Sequence, residues 1–516
     1  MKSHLVNHRR LLLSISSFLL FTRWILCESS IEVLTNSTGS ESHLVDSSGF
    51  PWASNSTPIS LSYAGLITVR QTLAYQAKLF YWFFPCTTNP QAPLIIWLQG
   101  GPFSSSMSGL FLESGPLRIQ TKPGVKLSPS TQNETIDDFI LSTNPSTWNQ
   151  HFNMVFLDQP VGTGFSFVDP PILVNDTGGK QSLPTLLKRS LDGCTDPSNC
   201  SVSSSNNTSE DPDYQHGYVK NQKAIAKDFL SFLDEFYQRY PSMKKVNLTI
   251  SSESYGGKYV PTIATAITEH NQKFPNDCIP LKSLTIGNQW TDPYTQVATN
   301  IDQLVWFGLI STQQAKNASI LLNESRSEIL KKNWTSALSH RLDMFDLLSN
   351  YTGGVNWYDV RMKNVQFDQK PMNHFLRCNE TKRILHVPTK YRFGQDDGMF
   401  EIFQDDIMQS TKDLFPQLFK TYKVLMYQGN MDLRDGVASN TAWLSSLDWD
   451  GRDGFETAPR KLWKSQTGEL FGYATQFENL SRVILLGCGH LVPADNGCPS
   501  SSLEMMIRHH TQSNFI

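Results

Sequence analysis

The chain has 516 residues, 39% of them hydrophobic, enough to bury a large core and to favour one enzyme-sized body over a string of small modules. Its 44 basic and 47 acidic residues are spread along the chain and leave a formal net charge of -3, so no basic footprint for nucleic acid is present.

From the N-terminus, Lys2, Arg9 and Arg10 precede the apolar run Leu11 to Phe21, which predicts a secretory signal peptide over residues 1–27. Arg23 cuts that run short of the roughly 20 residues a membrane span needs, so no stable membrane anchor is expected. No ER-retention ending follows Phe515 and Ile516, and the expected destination is the outside of the cell or a lysosome- or vacuole-like compartment. More than a dozen N-x-S/T sequons, among them Asn247, Asn317, Asn350 and Asn379, fit a glycosylated chain of the secretory pathway. Of eight cysteines, Cys27 leaves with the signal if cleavage follows it, and one of the remaining seven is then without a partner. Only Cys194 and Cys200 are paired by proximity, and no paired C-x-x-C spacing marks a structural zinc site.

After a polar leader over residues 28–58, short apolar runs bounded by turn residues alternate with helical stretches, the signature of an α/β fold. The predicted strands are Leu79 to Phe84, Leu94 to Leu98, Met154 to Leu157, Val246 to Ile250, Leu284 to Ile286, Val424 to Tyr427 and Val483 to Leu486. Several are apolar throughout, as buried parallel strands are. Helices are predicted over Gly217 to Tyr240, where apolar residues recur at three to four positions until Pro241, and from Tyr259 onward. Residues 59–290 and 415–516 then form the two parts of one core. Residues 170–216, rich in Ser, Asn and Asp, read as a surface insertion, and 291–414 as a largely helical cap over the sheet.

Within this frame, Ser252-Glu253-Ser254-Tyr255-Gly256 approaches the G-x-S-x-G pattern of a nucleophile elbow, and it stands between a predicted strand and a predicted helix. That context would expose the Ser254 hydroxyl at the carboxyl edge of the sheet. A serine nucleophile needs a base and the base an orienting acid. His490 follows the strand Val483 to Leu486 in a glycine-rich loop, and Asp432 follows the strand ending at Tyr427, with Asp435 as second choice. The order Ser, Asp, His is that of α/β-hydrolases. Gly100 and Gly101, after the strand ending at Leu98, allow backbone N–H groups to approach developing charge, so the Gly101 and Tyr255 N–H groups are the natural oxyanion pair.

Ten blocks in order, including WLQGGP (97–102), GLFLESGP (109–116), FLDQPVGTGFSF (156–167), ESYGGKYVP (253–261), YQGNMDL (427–433) and GHLVP (489–493), resemble those of the cathepsin A-like serine carboxypeptidases over roughly residues 60–510. Gln99 in place of the usual asparagine leans toward the vitellogenic-like branch. The resemblance implies an α/β-hydrolase fold with a mostly parallel sheet, and the triad Ser254, Asp432 and His490. It also implies that Glu113 and Glu253, with the amide of Gln99, bind the substrate's C-terminal carboxylate. The implied function is release of C-terminal amino acids through an acyl-enzyme at acidic pH. The implied partners are peptides or proteins with a free C-terminus, a homodimer is left open, and no cofactor or metal is implied.

Four residues depart from the family pattern: Gln99 for asparagine, Phe103 for a glycine, Ser104 for a cysteine that would tether the loop, and Ser252 for the glycine before Glu253. Ser252 reads as a tolerated small residue in a tight turn, whereas Phe103 is the more serious change because a side chain enters the oxyanion loop, unstrained there only if its φ is negative. These changes keep two alternatives open: a catalytically impaired binding protein, and an acyltransferase or esterase on the same scaffold.

Overall fold

The apolar runs of the sequence are the strands of one eleven-stranded sheet in the computed structural model, which describes residues 43–512 except 60, 73, 128–134, 170–173, 176–180, 183–210, 363–367, 395–397, 466, 496 and 497. The expected signal peptide, the Cys194 and Cys200 pair and most of the 170–216 insertion lie outside the described residues. The strands are β1 (Tyr63–Gln71), β2 (Gln76–Phe84), β3 (Leu94–Leu98), β4 (Asn153–Asp158), β5 (Phe167–Asp169), β6 (Leu248–Glu253), β7 (Leu281–Gly287), β8 (Lys423–Gly429), β9 (Lys461–Lys464), β10 (Leu470–Phe477) and β11 (Leu480–Leu485). Their spatial order is β1-β2-β4-β3-β6-β7-β8-β11-β10-β9, with β5 paired to β2.

From β4 to β11 neighbouring strands run parallel, and antiparallel pairs close both edges. The central strand β3 is apolar at every position because both faces are covered. In β3, Leu94, Ile96 and Leu98 face one layer, while Ile95 and Trp97 face the other. The first layer holds α2 (Gln222–Arg239) and α3 (Gly256–Lys273), through residues such as Phe229, Phe232, Phe236, Ile263 and Ile267. Into the second pack Phe111 of α1 (Met107–Leu112) and Met505 and Met506 of the C-terminal helix Pro499–Thr511.

Between β7 and β8 the chain forms α4 (Pro293–Trp306), α5 (Thr312–Leu330), α6 (Trp334–Thr352), α7 (Lys370–Arg377), α8 (Asn379–Ile384), α9 (Met399–Ile407) and α10 (Phe415–Thr421). The architecture is thus an α/β-hydrolase fold with a largely helical insertion. No helix among the described residues is long and apolar enough to cross a membrane.

Some boundaries differ from the sequence reading. Helix α2 starts at Gln222, where the Asn221 side chain caps it, because Tyr214–Gln215 and Tyr218–Val219 pair as a short hairpin first. Strand β6 starts at Leu248, since Pro241–Lys245 forms a 3-10 turn that Val246 closes. Part of the leader also joins the body: Val45 and Phe50 are buried, and the Phe50 ring rests against Trp82 and Phe375.

Candidate active site

The loops that follow β3, β6, β7, β8 and β11 all leave the same carboxyl edge of the sheet, and each carries a polar residue toward Ser254 or its neighbours. Ser254 is the single residue between the end of β6 and the Tyr255 cap of α3, and its φ is 55°. A left-handed conformation costs a residue with a Cβ about 1–2 kcal/mol. The turn is held by the Ser254 N–H on Gly287 O at 2.9 Å and by Ser254 O accepting from Gly257 N at 2.9 Å and Trp290 N at 2.8 Å. Ser254 is half-buried at the N-terminus of an 18-residue helix, where the backbone dipole favours negative charge. Ser252 is not in a turn: it is a fully buried residue of β6, its hydroxyl donates to Leu98 O, and a Cβ at Gly256 would lie 1.8 Å from its Oγ. The small residue at 252 therefore serves strand pairing, and glycine at 256 makes room for it.

Asp432 and His490 are brought together. The Nδ1 of His490 donates to Asp432 Oδ2 at 2.7 Å, with both side chains buried. The same Oδ2 accepts from Asn288 Nδ2 at 2.5 Å, while Oδ1 accepts from the Arg434 N–H at 2.7 Å and the Asp435 N–H at 3.2 Å. Burial disfavours a charged imidazole, but the charge and hydrogen bond of Asp432, with Asp435 behind it, outweigh that cost and raise His490 above its ordinary 6.5. Nε2 of His490 makes no hydrogen bond, to Ser254 or to any other described residue; catalytic bonds of this kind tighten when substrate is bound. Asp435, the second choice of acid, makes no bond to His490 and lines a neighbouring pocket instead.

The loop after β3 meets the elbow backbone to backbone. A Cβ at Gly100 would stand 2.6 Å from Glu253 O and 2.9 Å from Tyr255 N, so only glycine permits that approach. Neither the Gly101 nor the Tyr255 N–H has an acceptor among the described residues. Phe103 does not have the negative φ that would make it harmless: its φ is 70°, and its ring instead stacks edge-on against buried Phe403 of α9 at 5.3 Å. Ser104, exposed, donates its N–H to Gly100 O at 3.2 Å.

Gln99, Glu113 and Glu253 form one buried cluster, exposed by 5%, 1% and 0%. Gln99 Nε2 donates to Glu253 Oε1 at 2.6 Å and to Glu113 Oε1 at 3.1 Å, and Gln99 Oε1 accepts from Trp97 Nε1 at 2.9 Å. Burial raises Glu113 to about 7, and burial with the neighbouring Glu113 charge raises Glu253 well above the ordinary range. Two carboxyls in one dry site cannot both ionise cheaply, so the pair retains a proton that it can donate.

Sequence reasoning missed several residues that hold this edge in place. Asn288, at φ 40° after β7, bridges the Asp432 carboxylate to the Gly429 N–H. Asp158, buried, accepts from Ser105 Oγ at 2.6 Å, Ser106 N at 2.9 Å and Phe165 N at 3.0 Å, and so anchors the loop after β3. The His490 loop is anchored by a disulfide between Cys488 and Cys498, and by Asp495, which accepts from the Gly489 N–H. Buried Lys258 of α3 pairs with Asp406 at 3.0 Å, and Tyr255 Oη donates to the same carboxylate at 2.7 Å, tying the elbow helix to α9. A strand-end asparagine in IGNQWTDP and an aspartate closing a strand in FLDQP were the available signals. Cys86, Cys278 and Cys378 are not in disulfides, and no His, Cys, Asp and Glu group among the described residues could hold a metal ion.

Beside Ser254 opens a pocket of about 100 Å³, lined by Gly101 and Tyr255 on the reactive side and by Trp290, Arg341, Arg434 and Asp435 among others. It lies on the sheet face that carries Tyr255, Trp290, Leu338 and Ile407, whereas Trp97 and Tyr427, which neighbour the glutamate cluster, belong to the opposite layer.

Residues 54–512 match the family described as serine carboxypeptidase. "Serine carboxypeptidase-like 50" of Arabidopsis thaliana is 31% identical over 432 residues, covering 83% of this chain and 83% of that protein. "Probable serine carboxypeptidase CPVL" of Homo sapiens is 31% identical over 459 residues, covering 87% of this chain and 82% of that protein. Among solved structures, a prohormone-processing carboxypeptidase from Saccharomyces cerevisiae shares the fold with a TM-score of 0.70 and 23% identity, over 92% of this chain and 96% of that one.

Proposed function

The chain belongs to the serine carboxypeptidase family, and from that premise we propose that it hydrolyses the last peptide bond of substrates with a free C-terminus, through an acyl-enzyme on Ser254 in mildly acidic solution. In this reading Ser254 Oγ attacks the last peptide carbonyl while His490 Nε2 takes its proton. The imidazolium, steadied by Asp432, returns that proton to the departing amine. The oxyanion forms against the unbonded Gly101 and Tyr255 N–H groups, and water then releases the acyl group by the reverse sequence.

The observation that carries the reading is the Gln99 amide bridging two buried, raised glutamates, one of them, Glu253, next to the nucleophile in sequence. A general esterase has no use for a proton-holding pair there; a free carboxylate does. As pH rises through about 7 Glu113 ionises while Glu253 keeps its proton to higher pH, and the added negative charge repels the substrate carboxylate, so KM for peptides rises on the alkaline side. Protonation of His490, itself raised, sets the acid limb. We assign the protein to the secretory pathway from the residue 1–27 pattern and from exposed sequon residues Asn247, Asn317, Asn350 and Asn379, with secretion or an acidic compartment as destination.

The test is labelling of the glycosylated protein with a fluorophosphonate, followed by cleavage of a blocked dipeptide and of its C-terminal amide. Ser254 is expected to carry the label. The amide should be cleaved about 10- to 100-fold less well, the value of a charge-assisted hydrogen bond. No label on Ser254 would favour a binding protein, and label with equal turnover of acid and amide would favour an esterase or transferase.

A further inference from the structure

The pocket beside Ser254 holds two guanidinium groups with no acceptor. Arg341, on α6, is only 6% exposed and donates no hydrogen bond to any described residue. It lies over the Trp290 ring at 4.4 Å and the Phe345 ring at 4.8 Å. Arg434, in the loop that carries Asp432, lies over Phe345 at 5.5 Å and Tyr358 at 5.4 Å, and its side chain also makes no hydrogen bond. The one carboxylate lining the pocket, Asp435, stands 3.9 Å from Arg434, beyond hydrogen-bond length, and its Oδ1 has no partner. Two cations against one anion leave the pocket with an excess positive charge. Burial and the neighbouring Arg434 charge lower Arg341 to about 10, against the weaker opposite pull of Asp435.

Nε of Arg341 is a buried donor without an acceptor, which costs stability unless something is to be bound there, while the half-buried Arg434 opens its donors to the pocket. The stacked aromatic rings hold both groups without consuming their donors, leaving them free for a planar anion. Leu338, Leu342 and Ile407 supply apolar wall for methylene groups. A peptide end that seats its terminal carboxylate in the Gln99, Glu113 and Glu253 cluster crosses Ser254 and enters the opposite layer. Its penultimate side chain then meets this pocket.

We propose that Arg341 and Arg434 make this pocket a subsite for an acidic side chain, so that peptides with aspartate or glutamate as penultimate residue are the preferred substrates. The inference rests on the carboxypeptidase reading above and names the substrate class of that same site. A carboxylate there would accept from both guanidiniums, whereas an uncharged isostere would leave charged donors unpaired and a lysine would be repelled.

The experiment compares kcat/KM for N-blocked Glu-Leu, Gln-Leu, Leu-Leu and Lys-Leu at pH 6, where a peptide glutamate with a pKa of about 4.3 is ionised. Glu-Leu is expected to exceed Gln-Leu by about 10- to 100-fold, with Lys-Leu lowest. In Arg341→Gln and Arg434→Gln the Glu-to-Gln ratio should fall toward one, while fluorophosphonate labelling of Ser254 continues. Turnover of Leu-Leu with no preference for Glu-Leu over Gln-Leu overturns the subsite and leaves the carboxypeptidase reading standing. So does a ratio that persists in both labelled variants. Release of leucine from none of the four substrates overturns that reading, and the subsite with it. Should the glutamine variants fail to label, Arg341→Lys, which keeps the charge and loses the fork, is expected to retain part of the ratio. The wild-type series then decides the matter.

Discussion

Two loops bring backbone to the reaction centre, and they are held by different means. The loop carrying His490 is closed by the Cys488–Cys498 disulfide over a separation of 10 residues and by Asp495 on the Gly489 N–H. The loop carrying Gly101 has Ser104 where a family cysteine is expected, and is held by the Asp158 carboxylate and by Phe103 wedged against Phe403. A covalent tether limits the unfolded chain as well as the folded one, whereas a buried carboxylate acts only when every donor is in place. The Gly101 loop should therefore be the more fragile of the two, although it carries one of the proposed oxyanion donors.

The largest expected effect breaks that weaker anchor. Asp158→Ala leaves three donors unsatisfied and should cost about 3 kcal/mol or more. By displacing the Gly101 N–H it should also lower kcat by about 100-fold, which turnover and denaturant unfolding of the same preparation will show. On the other loop, Cys488→Ser with Cys498→Ser should cost about 2–3 kcal/mol by chain entropy, with a smaller fall in kcat. An equal or larger loss of kcat from the disulfide variant would reverse the comparison.

A finer effect separates strain from packing at residue 103. Phe103→Gly gives up the ring contact but relieves a φ of 70°, whereas Phe103→Ala gives up the ring and keeps the strain. The glycine variant should therefore be the more stable of the two by about 1 kcal/mol, the reverse of the usual order. Equal stabilities in urea melts would show that the left-handed backbone is not a burden.

The smallest effect concerns pH. Each loop rests on a buried carboxyl pushed up by desolvation, Asp158 to about 7 and Asp495 to about 8. Because the folded pKa exceeds the unfolded value of 3.8, the folded state holds these protons longer, and stability is lost as pH rises through about 7 to 8. Tm should fall between pH 6.5 and 8.5, and Asp495→Asn should blunt the fall. Below 6.5 the histidines His43, His509 and His510, all lowered chiefly by desolvation, act in the opposite sense, so the acidic side of the profile is flatter.

The legible part of this molecule was what local pattern dictates. Strands apolar on both faces, such as Leu94 to Leu98, were visible because a mid-sheet parallel strand covered on both faces favours a continuous apolar run. Strands toward the edges were not, since Tyr63–Gln71 and Leu470–Phe477 mix glycine, polar and half-exposed positions. Ser254, Asp432 and His490 stood out by standing at strand ends, while Gln99, Glu113 and Glu253 came from ordered blocks rather than from spacing. What stayed hidden depends on approach between distant segments. Asn288 meets Asp432 across 144 residues, and Arg341 looks like an ordinary helix-surface residue until α6 is seen beside Ser254. Ser252 was misread as a turn residue, and the φ on which the effect of Phe103 depends stayed open, because neither strand membership nor the sign of φ is written in a short motif.

The central claim is that the Glu113 and Glu253 pair, by holding a proton, makes the site an exopeptidase. The direct measurement is kcat/KM against pH for wild type and Glu253→Gln, on a blocked dipeptide and on an ester lacking a free carboxylate. Wild-type peptide turnover is expected to fade above about pH 7, the variant's alkaline limb on the peptide to move, and ester turnover to change little in either protein. An unchanged peptide profile in Glu253→Gln would contradict the claim.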